Sequence, residues 1–159
     1  MATAATLTVS DGVVAGTRHD ASGAALADLL GAHGFDVVER RVVADEADLI
    51  SAALQDLAKR ARLVITTGGT GLGPRDVTPE ATRTVLDKEV PGLTHLMLVA
   101  GIQSTPLAAL SRAVAGTIGT CLVINTPGSP RGAVDSLTAV LPVLSHALDL
   151  LAGDTSHRG

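Results

Sequence analysis

The 159-residue sequence predicts an α/β fold, a three-layer α/β/α sandwich on a mostly parallel sheet with an antiparallel edge hairpin. Three observations carry this. Short apolar, β-branched runs alternate with segments of helical period, glycine-rich turns close several of those runs, and the last two runs are separated only by a turn at Gly119. The length and a hydrophobic content of 46% supply one core of ordinary size and little for a second. Residues 1–152 are therefore predicted to form a single domain, with 153–159 as a flexible tail.

Residues 5–10 (ATLTVS) and 35–43 are strand candidates, and residues 20–33 between them carry Leu26, Leu29, Leu30 and His33 at helical spacing before Gly34. A second unit repeats the order: residues 45–60 bring Leu49, Ile50, Ala53, Leu54 and Leu57 to one helical face, then 62–67 form an apolar run that stops at glycines. Thr78-Pro79-Glu80 reads as a helix start, with Thr78 as N-cap, proline at the first helical position and an acid near the positive end of the helix. A helix over about 79–89 is expected, closed by Pro91-Gly92. Residues 107–118 and 121–125 are predicted strands meeting at Gly119. The last helix begins after Pro130, where Val134, Leu137, Leu141, Leu144, Leu148 and Leu151 step by three and four along one face; Pro142 predicts a bend.

Composition narrows the function. Twelve basic and 16 acidic residues give a formal charge of −4, and Phe35 is the single aromatic residue. A basic face with stacking aromatics, and hence a nucleic-acid partner, is not expected. The start, MATAATLTVSDG, lacks a basic segment followed by an apolar one, and no uninterrupted run of 18 apolar residues occurs, so neither secretion nor a membrane span is expected. Cys121, the only cysteine, sits in the apolar run CLVIN and reads as a buried structural thiol, in keeping with a reducing cytoplasm. Without Trp or Tyr, any bound heterocycle must lie against aliphatic side chains and glycine backbone.

The chemistry concentrates at strand ends. Gly68-Gly69-Thr70-Gly71-Leu72-Gly73 follows an apolar strand directly, where glycine N–H groups can approach an anionic ligand; a turn that merely needs glycine dihedrals is the other reading. The lysine of a P-loop is absent, and Pro74 occupies the place of the third dinucleotide-binding glycine. Arg75, Asp76 and Thr78 then set a cation, a carboxylate and a hydroxyl in a loop that ends at a helix N-terminus. Asp76 reads either as a Mg2+-binding carboxylate or as a loop cap. Asp45, at the end of the second strand, reads either as an N-cap or as a second hard-oxygen ligand. Ser10-Asp11, Ser111-Arg112 and the stretch Asn125-Thr126-Pro127-Gly128-Ser129-Pro130 each read singly as turns or caps, yet in an open α/β fold they rim one crevice. The five histidines, at 19, 33, 95, 146 and 157, show no spacing that converges on a transition-metal site.

The segment TTGGTGLGPRDVTPEAT, residues 66–82, resembles the central signature of the MogA/MoaB family of molybdenum cofactor biosynthesis proteins, which includes gephyrin-like domains. TVSD, VADE, DKEVPGL, LSRAVAG and LVINTPGSPRG support it in order, so the resemblance covers about residues 5–152. It implies the fold of that family and a molybdopterin adenylyltransferase, which moves AMP from Mg-ATP to the terminal phosphate of molybdopterin and releases pyrophosphate. It further implies that Asp45 and Asp76 are the catalytic residues and hold Mg2+, and that Gly68, Gly69, Thr70 and Gly71 cradle phosphate. Ser10, Asp11, Arg75, Thr78, Ser111, Arg112, Asn125, Pro127, Gly128 and Ser129 are the remaining substrate-binding candidates. A cytoplasmic homotrimer without nucleic-acid or membrane partners is the expected assembly. One departure stands out: the family carries a Glu-Leu-Met-Arg-like segment where this chain has His95-Leu96-Met97-Leu98, so an acid and an arginine are missing together. A non-catalytic molybdopterin-binding protein of the same fold is the alternative, and trust in the glycine loop alone would leave only a generic nucleotide-binding α/β protein.

Overall fold

Strand β1 (Thr3–Val9) is buried almost throughout and leads through a single helical turn, α1 (Asp11–Val14), into α2 (Ala21–Ala32) in the computed structural model, which describes residues 1–156. The chain continues through β2 (Asp36–Val43), α3 (Ala47–Ala58), β3 (Leu63–Thr67) and α4 (Thr78–Arg83). Then come β4 (Lys88–Glu89), α5 (Pro91–Ser104), a 3-10 turn (Pro106–Leu110), β5 (Ala115–Ile118), β6 (Cys121–Thr126) and α6 (Pro130–Leu151). The six strands form one sheet in the order β2-β1-β3-β6-β5-β4. The first four of these strands run parallel, β5 is antiparallel to β6, and β4 is antiparallel to β5.

The central strands are buried on both faces, which is why they read as unbroken apolar runs rather than alternating ones. Leu63 and Ile65 of β3, with Leu122 and Ile124 of β6, meet Leu26 and Leu30 of α2, Leu93 and Met97 of α5, and Leu137, Val140, Leu144 and Leu148 of α6. The alternate residues Val64, Cys121 and Val123 join Leu7 and Val9 against Ile50, Leu54 and Leu57 of α3 and Ala81 of α4. The predicted three-layer α/β/α sandwich with a mostly parallel sheet is therefore the observed one. The buried Cys121 thiol is pushed up to about 12 by desolvation. By length and composition α6 could cross a bilayer, but its row of Ala133, Leu137, Val140, Leu144 and Leu148 is packed into the core.

The segment between β3 and β5 departs from expectation. The helix predicted over 79–89 ends at Arg83, because Val85 and Leu86 turn in to pack on the α3 side and Asp87 crosses to the edge, its N–H donating to Thr117 O at 2.7 Å. Gly116 permits this crossing, since a Cβ there would lie 2.2 Å from Lys88 O and 2.7 Å from a Leu86 methyl. Pro91-Gly92 opens a helix instead of closing one: Pro91 takes the first position of α5, where its missing N–H costs nothing. The strand predicted over 107–118 keeps only Ala115–Ile118, its first part being the 3-10 turn capped by Thr105. Thr78 is not the N-cap of α4, a place held by Val77, and the N-cap of α3 is Glu46, not Asp45. Helix α6 continues through the exposed Pro142. Residues 157–159 of the predicted tail, with His157, lie outside the described residues.

Candidate active site

The parallel strands end together at Val9, Val43, Thr67 and Thr126, and the loops that follow form one surface. Gly68 and Gly69 sit at φ 99° and 68°, a region side chains rarely adopt. Space is closed to them as well: a Cβ would lie 2.3 Å from Val9 O at Gly68 and 2.3 Å from Thr78 Oγ1 at Gly69. The loop is pinned from below. Gly68 N–H donates to Thr126 O at 3.2 Å, Thr78 Oγ1 donates to Gly68 O at 2.9 Å, and Thr78 N–H donates to Gly69 O at 3.1 Å. Asn125, fully buried, donates to Thr66 Oγ1 and Thr82 Oγ1 and accepts from Val114 N–H.

Above the loop, Asp11 and Asp45 hold each other reciprocally. Asp11 N–H donates to Asp45 Oδ2 at 2.7 Å, and Asp45 N–H donates to Asp11 Oδ1 at 3.0 Å. Arg75 closes the group with a fork onto Asp11, Nε to Oδ2 and Nη2 to Oδ1, both at 3.1 Å. The Arg75 hydrogen bond, then the Asp45 N–H, hold the Asp11 carboxyl below its usual range. Burial pushes the Asp45 carboxyl above its usual range, and the charges of Asp11 and Asp76 push the same way. The Asp76 carboxylate accepts from Gly73 N–H at 2.8 Å, which is the loop-capping role read from the sequence. Gly71 and Gly73 leave room for it, as a Cβ at either would come within 3.0 or 2.8 Å of Asp76 Oδ2.

Arg112 is spent on the loop's backbone. Its N–H donates to Thr70 O at 2.9 Å, Nε to Gly71 O at 2.8 Å and Nη2 to Asp76 O at 2.9 Å, while Nη1 pairs with Glu80. That pairing draws the Glu80 carboxyl down. Arg112 thus braces the glycine loop, whereas the resemblance implied a residue lining the pocket.

These loops open on a cavity of about 1100 Å³. Ser10, Asp11, Asp45, Gly69, Thr70, Gly71, Arg75, Asp76, Ser111, Pro127, Gly128 and Ser129 line it; Gly68, Thr78, Arg112 and Asn125 stand behind the lining as its support. Ser10 and Ser129 are N-caps, accepting from Val13 N–H and Gly132 N–H. The opposite wall, from α5 and the 3-10 turn, includes His95, Met97, Leu98 and Leu107, and Arg18, Arg131, Asp135 and Ser136 also line the cavity. Sequence reasoning missed these. The one signal for the α5 wall was the departure at His95 and Leu98, both of which face the cavity.

An open, mostly parallel sheet whose carboxyl ends carry a glycine loop, three carboxylates, a guanidinium and a long helix N-terminus around one cavity defines an α/β protein with a ligand site at its strand ends. More particularly, the chain belongs to the MoCF_biosynth family: the family model described as "Probable molybdopterin binding domain" matches residues 5–146. A Helicobacter pylori (strain J99) protein named molybdopterin adenylyltransferase is 39% identical over a 152-residue alignment that covers 93% of this chain and 86% of that protein. The molybdenum cofactor synthesis protein cinnamon of Drosophila melanogaster is also 39% identical, over 94% of this chain, which spans only 26% of that longer protein. Among solved structures, the molybdopterin biosynthesis enzyme MoaB of Thermus thermophilus superposes with a TM-score of 0.90 at 50% identity, covering 96% of this chain and 98% of that one.

Proposed function

We propose that this chain is a molybdopterin adenylyltransferase, transferring AMP from Mg-ATP to the phosphate of molybdopterin. An oxygen of the pterin's phosphate attacks the α-phosphorus of ATP, a phosphoanhydride bond forms, and the bond to the β-phosphate breaks so that pyrophosphate leaves with the electron pair. Such a transfer depends on alignment and charge neutralisation rather than on a covalent nucleophile. The observation that carries the reading is the Asp11–Asp45–Arg75 group, which gathers two carboxylates and a guanidinium over the glycine loop of one cavity.

Gly69, Thr70 and Gly71 supply backbone and hydroxyl to phosphate, and Arg75 supplies its cation. Ser10, Ser111, Pro127, Gly128 and Ser129 line the pocket, while Gly68, Thr78, Arg112 and Asn125 hold its shape. Asp45 and Asp76 would hold Mg2+. Among the described residues no three His, Cys, Asp or Glu side chains gather to bind a metal, which suits an ion that takes one or two carboxylates and completes its shell with substrate phosphates and water. A divalent cation would also offset the burial, and after it the like charges of Asp11 and Asp76, that push the Asp45 carboxyl up. When bound, it would neutralise charge developing on the phosphates.

The same reading makes the enzyme a cytoplasmic homotrimer; exposed Leu96, Val99 and Ile102 on α5 supply apolar surface for subunit contact. Because His95 and Leu98 line the cavity in place of an acid and an arginine, molybdopterin binding without turnover is the second reading. Anaerobic pyrophosphate release from Mg-ATP separates them. Release that requires molybdopterin, and falls by about 100-fold or more in Asp76→Asn, supports the adenylyltransferase. Saturable pterin binding with no release would replace it with the binding protein.

A further inference from the structure

We infer that Asp135 and Ser136, in the second turn of α6, recognise the 2-amino-4-oxopyrimidine edge of the pterin, an assignment that rests on the pterin substrate proposed above. Both line the cavity. Ser136 is only 7% exposed, and its hydroxyl makes no hydrogen bond among the described residues, so an almost fully buried residue opens on the cavity with its donor and acceptor free for a ligand. The Asp135 carboxylate is half-buried and only loosely engaged, with Ser104 Oγ at 3.5 Å and Arg131 Nε at 3.8 Å. Its oxygens therefore retain acceptor capacity.

The position along α6 matters. Ser129 caps the helix beside Gly128 and the glycine loop, and Ser136 lies seven residues further on, about 10 Å along the axis. That separation suits a ligand with a phosphate at one end and a fused heterocycle at the other. Met97, Leu98 and Leu107 provide an aliphatic wall on which such a ring can lie.

The chemistry selects the ring. A carboxylate offers two acceptors side by side and no donor. The 2-amino-4-oxopyrimidine edge offers N3–H and the 2-amino group side by side, so both bonds form at once and are charge-assisted. Adenine presents its amino group between ring nitrogens that are acceptors, so the same carboxylate would gain one bond and face a lone pair. Ser136, able to donate as well as accept, satisfies a neighbouring pterin acceptor.

The test uses 6-hydroxymethylpterin and 6-hydroxymethyllumazine, in which a carbonyl replaces the 2-amino group. The chain has no Trp or Tyr, so the fluorescence anisotropy of either probe can be followed against a dark protein. The full-length protein should bind the pterin about tenfold or more tighter than the lumazine. Asp135→Asn should erase that preference by weakening the pterin, while the affinity for Mg-ATP stays within twofold. Ser136→Ala, a milder change, should weaken the pterin severalfold with the melting temperature retained. Unchanged pterin binding in both folded variants, or a loss confined to Mg-ATP, overturns the assignment. If the wild-type protein binds Mg-ATP but neither probe, the pterin reading itself fails and this assignment falls with it.

Discussion

Replacing Asp11 by Asn preserves its shape but removes the charge that holds the Arg75 fork and strengthens the acceptor for the Asp45 N–H. Both Arg75 and Asp11 are substantially exposed, at 60% and 47% of their side-chain area, and exposed pairs contribute little to stability. Asp11→Asn should therefore melt within a few degrees of the parent while kcat/KM for Mg-ATP falls by about tenfold or more, because two groups lose their placement at once. Recovery of activity in Asp11→Glu, whose longer arm can still carry the fork, is the companion expectation; a variant that melts normally and turns over normally would show that the pair orients nothing. This division of labour was not legible beforehand. The sequence put Asp11, Asp45, Arg75 and Asp76 at strand ends and in the glycine-loop segment, but whether a carboxylate faces ligand or a neighbour's N–H depends on angles that no spacing encodes. Arg112 and Asn125 show the same gap, since a polar side chain buried as a strut and one lining a pocket look alike in one dimension.

Helices and strands were legible where one face alone is buried or where both are. The alternation through β1, α2, β2, α3 and β3, and the seam of α6, follow from period and from apolar runs. The stretch from Thr84 to Val114 was not. Helix α5 buries Leu93 and Met97 yet leaves Leu96, Leu98, Val99 and Ile102 exposed, so apolar residues surround it and no stripe marks its inward side. Pro-Gly, read as a stop, is equally good as a start when the proline falls in the first turn. Gly31 offers a clean test of how local propensity contributes to these elements. It lies exposed near the end of α2, in helical conformation, with nothing within 4 Å of where a Cβ would stand. Gly31→Ala should stabilise the protein by about 0.5–1 kcal/mol through lost unfolded-state freedom, read as a higher denaturant midpoint at unchanged slope. A lower midpoint would mean that the helix end needs glycine for a reason other than propensity.

At the scale of the whole molecule, the sheet joins a parallel half, whose strand ends form the site, to a short antiparallel half at the other edge. The edge is thinly held: β4 contributes two residues, paired Lys88 with Thr117 and Glu89 with Gly116. Arg112 stands just before β5, and its guanidinium reaches across to Gly71, Asp76 and Glu80. The glycine loop is consecutive in the chain with the rigid β3, but its carbonyls are clamped by an arginine rooted in the weaker half. Local opening follows contacts rather than chain order. In hydrogen–deuterium exchange, the amides of residues 70–76 should consequently lose protection together with those of β4 and β5, and not with β3. Saturation with Mg-ATP should slow exchange at Lys88, Glu89 and Thr117, none of which lines the cavity, so that the far rim of the sheet reports whether the loop is filled.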